Sequence, residues 1–321
     1  MAQESYRSKT YYLLALEPVH VGAGGLQLGR VDNAIIRESG TDLPKIPATS
    51  LAGAARHYTA MHHPERYQRA VEKDGKIVYE SCARVGPEPT YCGQRDCPVC
   101  ITYGFSLPEG RNFPSMVQFS DARILFFPVT SMAGPIWVTS VEALQAQVSE
   151  GMLPSEGVDI RVEQGTHKLQ TGLNMRRLNL GWLLLDIAER TAPLTEAGRD
   201  ALRKSGIPDE ILERLVLVPD ALFSHVVNNN LEVRTSTAIS PITGASVEGA
   251  LFTYEAIPRA TVFWCDLVYK RPADFLLDGE PVERDIDWVQ EQVGKGLRYM
   301  EYLGVGGMTN RGMGRLRTLE L

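Results

Sequence analysis

The sequence predicts an α+β fold built on an antiparallel sheet, and three observations predict it. Apolar runs of strand length recur along the 321 residues and outnumber stretches of helical period. Only one long stretch, Asp285 to about Tyr302, carries a clear helical stripe. Residues 62–114 are rich in Gly, Pro and Cys and hold no such period, so they read as an insertion within one domain spanning 1–321.

In chain order, Tyr11–Val19 is aromatic and aliphatic and long enough for a buried strand. Gly22–Gly29 is a glycine-rich loop. Thr49 or Ser50 suits the N-cap of a helix reaching about Met61, with Leu51, Ala54, Ala55 and Tyr58 at i, i+3, i+4 and i+7. Val117–Val129 is strand-like, and Ser140 caps a short helix over Val141–Ser149. Residues 150–179 are polar, and Leu180–Ile187 reads as a buried strand. Thr195–Lys204 and Asp209–Val216 are short helices split by Gly206 and Pro208. Asn228-Asn229-Asn230 is a turn that opens an extended hairpin arm over 228–258, with strands Leu231–Thr237 and Ala250–Ile257. Ala260–Tyr269 is another strand, with Cys265 buried in it. In the helix after Asp285, residues Ile286, Val289, Val293, Leu297 and Met300 form a core stripe, and Gly304 follows as a stop. Met313–Leu321 closes the chain as a strand.

Composition narrows the function classes. With 44% hydrophobic residues the chain has an ample core. A net charge of −6 excludes a bulk basic surface, so any nucleic-acid surface must be local. No run approaches the ~18 apolar residues of a membrane span, and MAQESYRSKT lacks the apolar core of a signal peptide. A cytoplasmic protein without a membrane role is the expectation.

Two glycine clusters carry the chemistry. In the first, Gly22, Gly24 and Gly25 allow positive φ and close approach of a ligand to the main chain. The helix start near Ser50 offers free N–H groups to an anion, and Lys45 and Arg56 add positive charge, so a phosphate is the expected ligand. No Gly-Lys-Ser/Thr follows, which excludes a triphosphate loop, and the helix does not follow the glycines directly, which excludes a dinucleotide fingerprint. The second cluster, GVGGMTNRGMGRLR over 304–317, sets Arg311, Arg315 and Arg317 among glycines, as a phosphate backbone would require. Either cluster alone would also suit a plain connection.

Cys82, Cys92, Cys97 and Cys100 lie within the insertion in a C-x9-C-x4-C-x2-C spacing. A tight C-x2-C lets two thiolates reach one ion, and two nearby ligands complete a tetrahedron, which points to structural zinc. His57, His62 or His63 could stand in for Cys82, and a reduced, unligated set is the alternative.

Together these stretches resemble the RAMP superfamily, the RNA-binding subunits of type III CRISPR effector complexes. Pro18-Val19-His20-Val21-Gly22-Ala23-Gly24 is similar to the family's opening, and Val31-Asp32-Asn33 to the loop after it. Ile46-Pro47-Ala48-Thr49-Ser50-Leu51-Ala52-Gly53-Ala54-Ala55-Arg56 resembles the family's I-P-G-S-S-L-K-G-A-x-R, with Ala48 and Ala52 departing from it. Gly306-Gly307-Met308-Thr309-Asn310-Arg311-Gly312 resembles the C-terminal glycine loop. Phe126–Ser140 and Gly249–Pro258 resemble the repeating backbone subunit of the Cmr (III-B) complex, whereas the cysteine cluster is more like its Csm (III-A) counterpart.

The resemblance implies a ferredoxin-like, RRM-related core, with the zinc-bearing insertion and a β-hairpin thumb. It implies guide crRNA and target RNA as partners, self-association along the guide, and contact with small subunits and the large Cas10-type subunit. It also implies target cleavage that needs the acid matching Asp32, with Mg or Mn. A turn-forming Asp is the alternative there. His20 is a candidate acid or base, a backbone-bonded strand-end histidine being the alternative. Tyr254 and Glu255 are weaker candidates. RNA-binding roles fall to Gly22, Gly24, Gly25, Lys45, Ser50, Arg56, Gly306, Gly307, Asn310, Arg311, Gly312 and Arg315. A non-cleaving RAMP scaffold and an unrelated zinc-stabilised protein are the competing readings.

Overall fold

The first strand, Tyr6–Ala15, turns its side chains alternately to the two faces of a ten-stranded sheet. Tyr11, Leu13 and Ala15 enter one core with Leu51, Ala55, Val289 and Val293. Tyr12 enters the other with Phe126, Trp137, Leu144 and Leu202. The computed structural model describes residues 4–24, 31–73, 75–83, 91–108, 110–162, 165–247 and 250–321, with backbone only at 69, 71, 73, 76, 78 and 79.

Four strands, this one among them, form one side of the sheet. From the edge they run Leu316–Thr318, Tyr6–Ala15, Val262–Lys270 and Arg123–Ser131, each antiparallel to the next. The central pair is in register from Tyr6↔Lys270 to Leu14↔Val262. Val117–Phe119 pairs with the far end of Val262–Lys270. Beyond Arg123–Ser131 the sheet continues through Gly134–Ser140, Leu215–Val218, Leu169–Thr171, Leu183–Glu189 and Arg177–Leu180. Two of these junctions are parallel, Leu215–Val218 with Gly134–Ser140 and Leu183–Glu189 with Leu169–Thr171, so the sheet is mostly rather than wholly antiparallel.

Helices Ala48–His62 and Ile286–Leu303 pack on each other over one face. They meet at bare backbone: a Cβ at Gly296 would come within 2.3 Å of the Ala55 carbonyl oxygen. Asp285 caps the second helix by accepting from the Trp288 N–H, and Gly304 ends it at φ 79°. Glu232–Ser236 and Phe252–Ala256 form a separate antiparallel hairpin, with Thr235 opposite Thr253.

Several expectations shift. Tyr6–Ala15 starts and stops earlier than Tyr11–Val19, because polar Tyr6–Thr10 is paired along its length to Val262–Lys270 while Val19 makes only one bridge, to Ile257. Val117–Val129 is two strands, broken where Asp121 turns away to another partner. Leu180–Ile187 is not one buried strand: buried Leu180 ends the strand Arg177–Leu180, and Leu183–Glu189 alternates half-buried and exposed. The helix from Asp209 ends at Glu213, and apolar Leu215–Val218 becomes a fully buried strand. Asn228 and Asn229 are the last turn of a helix, Asp220–Asn229, rather than a turn. Gly134–Ser140 and Leu169–Thr171 form strands that periodicity did not reveal.

Candidate nucleic-acid interface and metal centre

The second glycine cluster packs on the segment that leads into the first. Gly307 N–H donates to the His20 carbonyl at 2.8 Å, Gly314 N–H to that of Pro18 at 2.8 Å, and Leu16 N–H to that of Arg315 at 2.9 Å. The approach needs glycine: at Gly306, with φ 88°, a Cβ would lie 2.5 Å from the His20 carbonyl oxygen. Gly22, Gly24, Gly306, Gly307, Asn310, Arg311 and Gly312 are all exposed around this clasp. Ser50, His57 and Tyr58 face Gly304–Gly306 and Thr309 across a cleft of about 290 Å³. Gly25 lies outside the described residues.

Asp32 sits on an exposed loop bound to the hairpin arm. Its Oδ2 accepts from the Thr253 N–H at 2.7 Å and the Thr253 hydroxyl at 2.8 Å. Its own N–H donates to the Thr253 Oγ1 at 3.1 Å. The neighbouring Asn33 N–H donates to the Thr253 carbonyl, and the Glu255 N–H to that of Asn33. The Thr253 backbone bond first, and its hydroxyl second, hold the Asp32 carboxyl below the usual range. Asp32 is thus an ionised, solvent-facing acid.

His20 and Glu255 lie beneath it and are committed elsewhere. His20 is buried; its Nδ1 donates to the Glu255 carbonyl at 2.7 Å, and its ring meets Tyr254 edge-on at 5.9 Å. Glu255 Oε1 pairs with Arg37 at 2.8 Å and accepts from the Ile35 N–H at 3.0 Å. Geometry therefore gives His20 a packing and anchoring place under the C-terminal loop.

Three expected phosphate ligands are taken up by the fold. The helix begins at Ala48 after Pro47, with no cap from Thr49 or Ser50. Asp121 fills its N-terminus instead, accepting from the Ala48 N–H at 2.8 Å and from Lys45 Nζ at 2.5 Å. The anion seat is filled by a carboxylate of the same chain. Arg56 donates to the carbonyls of Cys82 at 2.8 Å and Gly104 at 2.9 Å, and its guanidinium lies over Tyr91 at 4.4 Å. Arg315 donates to the Glu301 carbonyl at 2.7 Å and reaches Glu17 at 3.4 Å. Arg311 has no ion pair among the described residues.

The cysteines converge. The Sγ atoms of Cys82, Cys92, Cys97 and Cys100 all lie within 4.8 Å of one another. Cys97–Cys82 is 3.8 Å and Cys92–Cys100 is 3.7 Å. A tetrahedron with Zn–S bonds of about 2.3 Å has S–S edges of roughly 3.8 Å, so the donor set fits zinc. Cys97 caps helix Pro98–Tyr103 and accepts from the Cys100 N–H, and Cys92 accepts from the Gln94 N–H. Contacts from Cys100 foremost push the Cys82 and Cys92 thiols below their ordinary range. His57 contacts Tyr67 and His63 contacts Gln292, so the fourth donor of this group is Cys82. Cys265 stands apart, its thiol pushed up to about 12 by burial.

The residues that sequence reasoning missed are Thr253, Asp121 and Arg37. Each works through a partner far along the chain, Thr253 being 221 residues from Asp32, so no local pattern marks them.

Comparison with known proteins places the geometry. The chain is 25% identical over 314 residues to the CRISPR system Cmr endoribonuclease Cmr4 of Pyrococcus furiosus, covering 94% of this chain and 92% of that protein. Its fold is similar to a chain in the cryo-EM structure of a type III-B Cmr-beta complex bound to cognate target RNA, with a TM-score of 0.66 at 16% identity and 98% of both chains covered. It is also similar to the crystal structure of oligomeric Cmr4 from Pyrococcus furiosus, with a TM-score of 0.58 at 19% identity over 98% and 100% of the two chains. The RAMP superfamily profile matches residues 12–317, from the first strand through the second glycine cluster, and the chain belongs to that superfamily.

Proposed function

We propose that this chain is a backbone subunit of a type III-B CRISPR effector complex that lies along a guide crRNA and cuts the paired target RNA. The observation that carries the cleavage reading is Asp32: ionised, exposed and held by two bonds from Thr253 on the hairpin. Similarity to Cmr4 over nearly the whole chain supports it.

The exposed main chain of Gly306, Gly307 and Gly312, with Arg311, would carry the guide backbone; such contacts position RNA without reading its bases. Sequence choice then comes from pairing between guide and target. The four strands led by Tyr6–Ala15, with helices Ala48–His62 and Ile286–Leu303 on one face, support a ferredoxin-like reading of the core. The Glu232–Ser236/Phe252–Ala256 hairpin would be the thumb. Zinc would hold the insertion through the four cysteines, leaving no open position. Copies of the same chain, the large Cas10-type subunit and the small subunits are the implied partners, in the cytoplasm.

Asp32 would ligate Mg or Mn weakly, the substrate phosphate supplying other ligands. When bound, that cation would stabilise charge on the phosphoryl oxygens. Asp32 itself holds a fixed negative charge where the target strand must pass.

The test is a reconstituted complex incubated with labelled complementary RNA and Mg²⁺, with and without Asp32→Ala. Loss of cleavage with intact assembly supports the reading. Unchanged cleavage leaves an RNA-binding scaffold.

A further inference from the structure

Asp32 and Thr253 are joined by three hydrogen bonds that only a hydroxyl residue can complete. The Thr253 hydroxyl donates to Asp32 Oδ2 and accepts from the Asp32 N–H, using both of its capacities on one residue. The Thr253 N–H adds a second donor to Oδ2. Among the described residues, no other residue donates to Oδ1.

We propose that Thr253 is the positioning residue for Asp32: it ties one carboxylate oxygen back to the arm and leaves the other facing outward for a divalent cation. The inference rests on the reading of Asp32 as the acid required for cleavage. A carboxylate locked in one rotamer is a better-placed ligand, since groups behind a ligand set its orientation.

The same bonds couple the acid to the arm. Thr253 stands opposite Thr235 in the hairpin, and Asn33 bridges to Tyr254 on the same strand. The register of the hairpin therefore fixes where the acid sits.

Mn²⁺ broadening of the Asp32 carboxyl carbon, read by NMR in the full, 13C-labelled chain, tests this, with assignment from Asp32→Asn. Thr253→Val should need about tenfold more Mn²⁺ for half-maximal broadening. Thr253→Ser keeps the hydroxyl and should broaden with the wild type. If Thr253→Val does not fold, Thr253→Ala is read in its place. In reconstituted complexes the valine variant should need about tenfold more Mg²⁺ for half-maximal cleavage, with the serine variant unchanged. An unmoved Mn²⁺ or Mg²⁺ requirement overturns the proposal. Full cleavage by Asp32→Ala overturns the reading beneath it; that failure is distinct, because the Mn²⁺ broadening is read without RNA.

Discussion

The rim at Asp32 and the start of the helix at Ala48 are built alike and end differently. Each presents an aspartate to a backbone N–H and a second donor: Thr253 supplies both at Asp32, Ala48 and Lys45 at Asp121. Burial pushes the Asp121 carboxyl up, but the bonds from Lys45 and Ala48 outweigh it, so both acids are held below their ordinary range. The difference lies in what remains free. Asp121 fills a helix end and neutralises the lysine that was expected to meet a phosphate. Asp32 faces solvent. The lysine beside this helix N-terminus is therefore balanced by an anion of the fold, whereas an acid tied from behind still has a front.

That contrast can be broken by substitution at either place. The largest effect is expected at the open rim: Asp32→Ala should lower target cleavage by about a hundredfold or more, while guide binding and thermal stability, read by co-purifying RNA and a melt, stay at wild-type levels. The closed side should respond the other way. On the proposed zinc reading, Cys97→Ser should abolish metal binding and cost roughly 3 kcal/mol or more, read by metal analysis and denaturant unfolding, because the insertion that Arg56 grips loses its anchor.

Asp121→Ala comes next, at about 1–2 kcal/mol for the lost helix cap. Its pH signature has a definite sign. A carboxyl depressed in the folded chain contributes fully above the ordinary aspartate range near about 3.9, and the contribution drains as pH falls through that range toward the depressed value. Asp121→Asn should therefore flatten the acid limb of the stability profile; an unchanged limb would mean that Lys45 and Ala48 do not hold it. The smallest effect belongs to Arg311→Ala, which should lower the salt slope of guide binding by about one without altering target choice.

Much of this arrangement is legible in the residues themselves, for a physical reason. Glycines at 22, 306 and 307, an acid framed by Val31 and Asn33, and four closely spaced cysteines carry their constraints locally. The helix over Ile286–Leu303 is legible too, because stripe, cap and stop agree. What resists reading is whatever depends on a distant partner. Polar Tyr6–Thr10 is strand only because Val262–Lys270 runs beside it. Leu215–Val218 continues a helical pattern until Gly134–Ser140 offers it a sheet. Lys45, Arg56 and Arg315 look like phosphate ligands until Asp121, Cys82 and Glu301 claim them.

The junction of Pro18 and His20 with Gly314 and Gly307 has a temporal consequence. Its second half leaves the ribosome well after its first, and domains fold as their segments become available. The junction is therefore completed only once Gly314 has been made. A chain interrupted before Gly304 would keep the segment that holds Pro18 and His20 yet lack the strap that seats it.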